Sequence, residues 1–170
     1  MRVPGLRHLM VRFEPSPQST NCTTLPATQA ILAEPSHPIF IPLRRRFDAW
    51  NPHVLHWAVR ANLAISKRKI VRSWASRRVR EAFLAELKQN GFDRNGTLVT
   101  PNPSLNSSIS RTARPPPSQL TGAMCLTVHK TVVTAPFSEI QQECKSILQQ
   151  LMSRNAVSRI STHRHVVRRV

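Results

Sequence analysis

The stretch from Ile70 to Asn90 constrains the fold of this chain more than any other, because it has the pattern of one long amphipathic helix. Apolar side chains recur in it every three to four residues and form one broad stripe along a helix. The stripe consists of Val71, Ala75, Val79, Ala82, Phe83 and Leu87. Gly91 follows at the position where a helix-ending glycine is expected. Such a helix predicts a domain in which another element covers this stripe.

The segments around this helix predict a small sheet and two further helices. The predicted elements are, in order, a helix over Leu25–Glu34, an edge strand at Ile39–Ile41, a half-buried strand over Trp57–Ser66, the long helix, a strand over Ala123–Val133 and a helix from Ser138 to Met152. Pro26 favours the start of the first helix, and Ser138 is the predicted N-cap of the last. The order of elements predicts an α+β fold, a small sheet with helices packed on it.

Three segments lack this periodicity and set the boundaries of the domain. Residues 1–23 are rich in arginine and poor in acids, so they predict either a mitochondrial transit peptide or a disordered basic tail. Residues 100–122 are polar and proline-rich and predict a disordered loop inserted within the domain. Residues 153–170 are basic and sparsely apolar and predict a flexible C-terminal tail. The single domain is therefore predicted to span residues 24–152.

The charge of the chain favours a polyanionic partner. The net charge is +17, because 25 Lys and Arg stand against 8 Asp and Glu. Phosphate contacts dominate the affinity of proteins for nucleic acids, so RNA or DNA is the first partner to consider. Charge alone leaves an acidic membrane surface and an acidic protein open. We predict no membrane partner, and no apolar run is long enough for a transmembrane helix.

The residue types that carry catalysis or hold cofactors are not arranged in any recognisable motif. The sequence has no paired carboxylates, no nucleophile motif and, with 4 glycines in all, no glycine-rich phosphate loop. The three cysteines, Cys22, Cys125 and Cys144, are widely spaced and lack the spacing of zinc ligands. We therefore predict free thiols in a reducing compartment, no catalytic residues, no metal site, no bound cofactor and no small-molecule substrate.

The positive charge is concentrated where the long helix begins. Seven of the nineteen residues in ISKRKIVRSWASRRVREAF, Ile65–Phe83, are Lys or Arg. Arg72, Ser76 and Arg80 are spaced by four, so they share one side of a helix. Backbone N–H groups at a helix N-terminus favour phosphate, and the arginine fork matches its oxygens. The predicted RNA-binding residues are Lys67, Arg68, Lys69, Arg72, Arg77, Arg78 and Arg80.

The order of residues in this stretch resembles the protein subunit of bacterial-type ribonuclease P. That family ends a strand in a pattern like S-K-K and continues into a helix that bears R-N-x-x-[KR]-R-x-x-R-E-[AS]-[FY]. The matching residues are Lys67, Arg68, Arg72, Arg77, Arg80, Glu81, Ala82 and Phe83. The later stretch GAMCLTVHKTVVTAPFSEIQQECKSILQQLM is similar to the family's closing strand, short loop and final helix. Ser73, Trp74 and Ser76 depart from the family, which has Asn, often Arg, and a basic residue there.

The resemblance implies a fold and a role. The fold is a four-stranded sheet with helices in α-β-β-β-α-β-α order, which is ribosomal protein S5 domain 2-like. In that family the RNA subunit, with Mg²⁺, hydrolyses the bond that matures the 5′ end of precursor tRNA, and the protein is a non-catalytic subunit. The implied partners are ribonuclease P RNA and precursor tRNA, with the protein monomeric apart from the RNA complex. With the candidate transit peptide, the departures point to a eukaryotic organellar, mitochondrial relative.

Two aromatic residues are candidates for the grip that the family's sheet face exerts on the 5′ leader of the substrate. Phe40 and Trp57 can stack on unpaired bases, as aromatic side chains do in single-strand binders. Both also fit the alternative of core aromatics, since such residues dominate packing energetics.

Two other function classes fit the composition. A structural component of a mitochondrial ribosome would have similar basic tails and inserts. A protein–protein adaptor would use the arginine-rich surface to bind an acidic partner.

Overall fold

The structure is a computed structural model that describes residues 5–15, 18–99 and 119–166, with side chains up to Asn155. Its elements are β1 (Leu9–Glu14), α1 (Pro26–Ala33), α2 (Phe40–Asp48), β2 (Leu55–Ala61), α3 (Lys69–Gln89), β3 (Gly122–Val128), a 3-10 turn (Lys130–Val133) and α4 (Phe137–Val166). The predicted α+β class is confirmed. The predicted four-stranded sheet is not confirmed, because the described residues form a sheet of three strands. Along the chain, the described helices and strands follow the order β-α-α-β-α-β-α.

Strand β3 is the centre of the sheet, whose spatial order is β1-β3-β2. It pairs antiparallel with β1 and parallel with β2, so α3 is the crossover that parallel neighbours need. Met124 lies opposite Phe13 of β1 and opposite Trp57 of β2, which fixes the register of all three strands. Strand β2 is therefore an edge of this sheet, next to α3.

The core lies between one face of the sheet and helices α3 and α4, which also contact each other. The buried residues of the two helices are Ala75, Val79, Ala82, Phe83, Leu87, Ile140, Cys144, Ile147, Leu148 and Leu151. They join Met124, Leu126 and Val128 of β3 in a single cluster. Each fully buried Leu, Ile or Phe side chain stabilises the fold by about 1.5–3 kcal/mol. The stripe predicted for the long helix is thus buried in the core, apart from Val71, which is only half-buried.

Helix α3 ends as the sequence predicts, at Gly91. The backbone there has φ +79°, the left-handed region that glycine adopts without a Cβ penalty. The N–H of Gly91 donates to the carbonyl of Lys88 over 3.0 Å, and that of Phe92 donates to Leu87 over 2.9 Å. These two bonds form a Schellman motif, which satisfies carbonyls left open at the helix end.

The other face of the sheet is covered by the segment that follows β1. Cys22 packs on Ala123 and Cys125 of β3 in a small cluster of its own. The guanidinium Nη2 of Arg60 donates to the carbonyl oxygen of Thr24 over 2.7 Å, which ties β2 to the same segment. All three cysteines are buried free thiols, in agreement with the prediction. Burial raises the pKa of the Cys22 thiol to about 11, so this thiol is neutral at physiological pH.

The N-terminal region contributes a strand where the sequence predicted a leader or a disordered tail over residues 1–23. Leu9 and Val11 alternate with exposed residues and point into the core, a period-2 pattern that the surrounding arginines obscure. The carboxylate of Glu143 accepts hydrogen bonds from the backbone N–H groups of Arg7, over 2.7 Å, and of His8, over 3.0 Å. These contacts hold β1 against α4.

Other segments also differ from their predictions. The strand predicted over Trp57–Ser66 is Leu55–Ala61, and the one predicted over Ala123–Val133 ends at Val128, before the 3-10 turn. Helix α4 begins at Phe137, so Ser138 lies within it and is not its N-cap.

The edge strand expected at Ile39–Ile41 is wrong, because α2 begins at Phe40; Pro42 lies in its first turn, where a missing N–H costs nothing. Most of the inserted loop, residues 100–118, lies outside the described residues, but Leu120 at its end is fully buried and Gly122 begins β3. Helix α4 continues to Val166 through most of the predicted C-terminal tail.

Candidate nucleic-acid interface

A groove of about 440 Å³ lies between the β2 edge of the sheet and the first half of α3. Four cationic side chains, two hydroxyls and two small apolar residues line it: Val59, Ala61, Lys69, Arg72, Ser73, Ser76, Arg77 and Arg80. We call these eight residues the basic groove. None of them is acidic, so its lining is positive throughout. Hydroxyl and guanidinium donors side by side suit a phosphate backbone.

The groove follows from the sequence of α3. Arg72, Ser76 and Arg80 recur every four residues on the side of the helix next to β2, and the apolar stripe holds that side against the strand. Val59 and Ala61 supply the opposite wall because alternate residues of β2 point to the α3 face of the sheet. The cations therefore sit at the border of the core.

Arg72 also anchors the turn that leads from β2 into α3. Its Nη1 lies 2.8 Å from the carbonyl oxygens of Ser66 and Lys67. In the same turn, the N–H of Arg68 donates to the hydroxyl of Ser66 over 3.1 Å, and Ile65 is buried. Helix α3 has no side-chain N-cap and no acid in its first turn. Its first N–H groups are thus left for solvent or an anion.

The structure brings together four of the seven predicted RNA-binding residues. Lys69, Arg72, Arg77 and Arg80 line the basic groove. Lys67 and Arg68 are exposed on the turn just before α3, and they do not line the basic groove.

Arg78 lies apart from the groove, on the other flank of α3. Its Nη1 donates to the carbonyl oxygen of Val132 over 3.0 Å, which joins α3 to the 3-10 turn. Its guanidinium carbon is 5.1 Å from the ring centroid of Trp74 and 6.0 Å from that of Phe137. These contacts occupy part of the donor capacity that the sequence-based prediction assigned to RNA.

The two predicted leader-contacting aromatics lie on different elements. Trp57 is half-buried in β2; its Nε1 donates to the carbonyl oxygen of Arg94 over 2.9 Å, and its ring meets Phe83 edge-on at 4.9 Å. Its surroundings are thus those of a residue at the margin of the core. Phe40 is half-exposed at the first position of α2. Contact of either residue with a leader stays a prediction.

A second concave surface, of about 510 Å³, lies between α2 and the segment around residues 19–28. His56 and Trp50 line it as a stacked pair with ring centroids 4.6 Å apart, and His56 Nε2 is 2.7 Å from the carbonyl oxygen of Asn51. Arg46 supplies the cation in its lining. These residues were not predicted, and the one signal for them in the sequence is the alternation along β2 that places His56 on the face opposite Trp57.

The basic groove also contains two residues that the sequence analysis treated as departures. Ser73 and Ser76 replace an amide and a cation of the resembling family, yet both line the groove beside arginines. The one available signal was the spacing of Ser76 by four from Arg72 and from Arg80. Their hydroxyls keep hydrogen-bonding capacity but supply no charge.

The described part of the chain has neither a metal-ligand cluster nor a membrane-spanning helix. Within it, no three His, Cys, Asp or Glu side chains are grouped so as to hold a metal ion. None of its helices is both long and apolar enough to cross a membrane.

Comparison with protein-family models, with curated proteins and with solved structures finds no match to this chain.

Proposed function

We propose that this chain is an RNA-binding accessory protein, the non-catalytic protein subunit of a ribonuclease P whose RNA subunit matures the 5′ end of precursor tRNA. The basic groove is the observation that carries the proposal, because four cations line it and no acid does. The link to ribonuclease P rests on residue order: Arg72, Arg77 and Arg80 match the family's helix motif, and all three line this groove. A mitochondrial location belongs to the same proposal.

In this proposal the groove holds the RNA by its backbone. Arg72, Arg77 and Arg80 donate to phosphate oxygens, and each neutralised phosphate releases counterions. Ser73 and Ser76 donate hydroxyl hydrogen bonds to the same strand. Such contacts fix the position of the RNA without reading its sequence, so recognition depends on RNA shape. The Mg²⁺ that supports hydrolysis belongs to the RNA subunit, and this chain holds and orients RNA without breaking a bond.

The test is binding and processing with matched variants. The full chain is titrated with a ribonuclease P RNA and a precursor tRNA at several salt concentrations. Arg77→Ala/Arg80→Ala removes two groove cations, while Lys88→Ala/Arg154→Ala removes the same charge from exposed positions outside the groove. The groove variant should lose at least ten-fold in affinity, and the salt slope should fall by about 0.7–0.9 for each phosphate contact removed. The control should bind like the wild type.

The processing arm separates the proposed function from general RNA binding. Added to the catalytic RNA at limiting Mg²⁺, the wild type should speed 5′ cleavage of precursor tRNA, and the groove variant should not. Equal affinities for both variants would refute the groove as the RNA site. Tight binding to ribosomal RNA without stimulation of cleavage would favour a structural component of a mitochondrial ribosome instead.

A further inference from the structure

The flank of α3 that faces away from the basic groove presents a stack of three side chains from two helices. Trp74 is 46% exposed and Phe137 is 40% exposed, although both are large aromatic residues. The guanidinium of Arg78 lies over the Trp74 ring at 5.1 Å and over the Phe137 ring at 6.0 Å. The bond from Arg78 to the Val132 carbonyl, 3.0 Å long, fixes the middle of this stack. We call Trp74, Arg78 and Phe137 the aromatic platform.

The platform and the basic groove lie on opposite sides of one helix. Trp74 and Ser76 are two residues apart, which places them about 200° apart around an α-helix. Arg77 is exposed on the ridge between the two surfaces and also lines the groove. A polyanion held in the groove can therefore reach the platform by crossing the ridge at Arg77.

The platform is built like a site for a flat, electron-rich ring, and not like a patch of core left uncovered. Trp74 is absent from the core cluster of the described residues, and Ile70, one turn before it, is 83% exposed. Unpaired RNA bases are held by stacking on aromatic rings and arginine planes, the two groups that meet here.

We propose that the aromatic platform stacks one unpaired base of an RNA whose backbone lies in the basic groove. The inference rests on the proposed RNA-binding function and adds to it a preference for RNA with an unpaired nucleotide beside the bound backbone. Charge complementarity selects this occupant, because a chain of net charge +17 with a guanidinium inside the platform favours a polyanion that carries aromatic rings.

The probes are two RNA hairpins that differ only in one bulged uridine, which is present in the first and absent from the second, fully paired one. Trp74→Ala should lose about ten-fold in affinity for the bulged hairpin, since a base–aromatic stack contributes on that order. Its salt slope should not change, because no charge is removed, and its affinity for the paired hairpin should equal that of the wild type. Trp74→Phe should restore most of the loss. Bromouridine at the bulge should crosslink to Trp74.

The outcomes separate this inference from the proposed function. If Arg77→Ala/Arg80→Ala abolishes binding while Trp74→Ala and Trp74→Phe both bind the bulged hairpin like the wild type, the platform is refuted and the groove stands. If the arginine variant binds like the wild type, the proposed function itself fails. Equal losses for Trp74→Ala on both hairpins, without a crosslink, would also overturn the platform. So would a nuclease-resistant protein complex that disappears in Trp74→Ala.

Discussion

Arg72 donates a hydrogen bond from Nη1 to the backbone carbonyl oxygen of Ser66, over 2.8 Å, from inside the basic groove. The same side chain thus does two things, since it lines the surface proposed for RNA and holds the end of the strand that leads into α3. Arg80 lies about two turns further along the same side of the helix, is exposed, and its side chain forms no hydrogen bond or ion pair with any described residue. The two arginines therefore allow charge and anchoring to be separated.

Replacing Arg72 by Ala is expected to lower both the RNA affinity and the free energy of unfolding. The second loss should be roughly 1–2 kcal/mol, because the carbonyls of Ser66 and Lys67 lose a charged donor but stay accessible to water. Arg80→Ala should lower RNA affinity to a similar degree and leave the free energy of unfolding unchanged. Urea denaturation and RNA titration of both variants measure the difference. Identical unfolding midpoints for the two variants would contradict the anchoring role.

Replacing Glu143 by Ala is expected to loosen β1. The backbone N–H groups of Arg7 and His8 would lose their acceptor, and the His8 N–H is buried, so the free energy of unfolding should fall by about 1–3 kcal/mol. Glu139→Ala is the matched control, because its carboxylate is 56% exposed and contacts only the imidazole of His8, not the backbone of β1, so the loss should be smaller. Equal losses in urea denaturation would show that the backbone contacts of Glu143 are unimportant.

Gly122→Ala is expected to destabilise the pairing of β1 with β3. Gly122 has φ +117°, and an added Cβ would lie 2.7 Å from the Phe13 ring and 3.0 Å from the Glu14 carbonyl oxygen. Strain of this kind costs roughly 1–3 kcal/mol. Gly5→Ala is the control, since Gly5 also has positive φ but open space around its Cβ. The midpoint of thermal unfolding should be well below that of Gly5→Ala for Gly122→Ala. The reverse order would count against the close approach of Gly122 to Phe13 and Glu14.

Helix α3 was predictable because its signals are local. The apolar stripe, the bordering cations and Gly91 all lie within one stretch, and the structure places the helix ends within a residue of the prediction. Strand β1 was missed because its alternation, Leu9 and Val11, is short and lies among arginines that resemble a leader. The start of α2 could not be predicted from Ile39–Ile41, because a β-rich run next to a proline suits an edge strand, whereas Pro42 fits equally well in a first helical turn.

For the basic groove, too, only the part that depends on local sequence could be predicted. The spacing of Arg72 and Arg80 places them on one side of a helix, but the second wall of the groove comes from β2 and depends on how the sheet is assembled. The fate of Arg78 could not be predicted, since its acceptor is the carbonyl of Val132, 54 residues away. Local pattern thus identifies which side chains share a helix face, and tertiary packing decides which of them are available to RNA.

Cys144 makes the stability of the fold sensitive to alkaline pH. Burial, followed by the nearby Glu86 and Glu143 carboxylates, raises the pKa of this thiol from 9.0 to about 12. The folded chain therefore keeps the proton at pH values where the unfolded chain releases it. The stabilisation is complete below pH 9 and is lost as the pH rises from about 9 towards 12, with a slope of up to about 1.4 kcal/mol per pH unit.

Cys144→Ala isolates this effect. At neutral pH the variant should be less stable than the wild type, because it loses buried sulfur in the core. The gap should narrow as the pH is raised above about 9, since the variant has no thiol to titrate at that site. Urea denaturation over a pH series measures both curves. Cys22 and Cys125 also have raised pKa values, but both thiols are present in the two proteins and affect the two curves equally. A difference in stability that stays constant with pH would therefore refute the role of the Cys144 thiol.

Ser76→Lys is expected to strengthen RNA binding. Ser76 lines the basic groove one turn from Arg72 and from Arg80, so a cation there would face the same phosphates. The affinity should rise, and the salt slope should steepen by about 0.7–0.9 for one further phosphate contact. Each like-charge pair at this spacing costs about 0.2–0.5 kcal/mol, so the free energy of unfolding should fall slightly.

Ser146→Lys is the matched control for this gain, because Ser146 is exposed on α4, away from the groove, and the substitution adds the same charge. Its RNA affinity should change little. If both lysine variants gain equally, the long-range field of the chain is responsible and the groove has no special role. If only Ser76→Lys gains, the hydroxyl that now stands there marks a place where this chain binds RNA more weakly than its geometry allows.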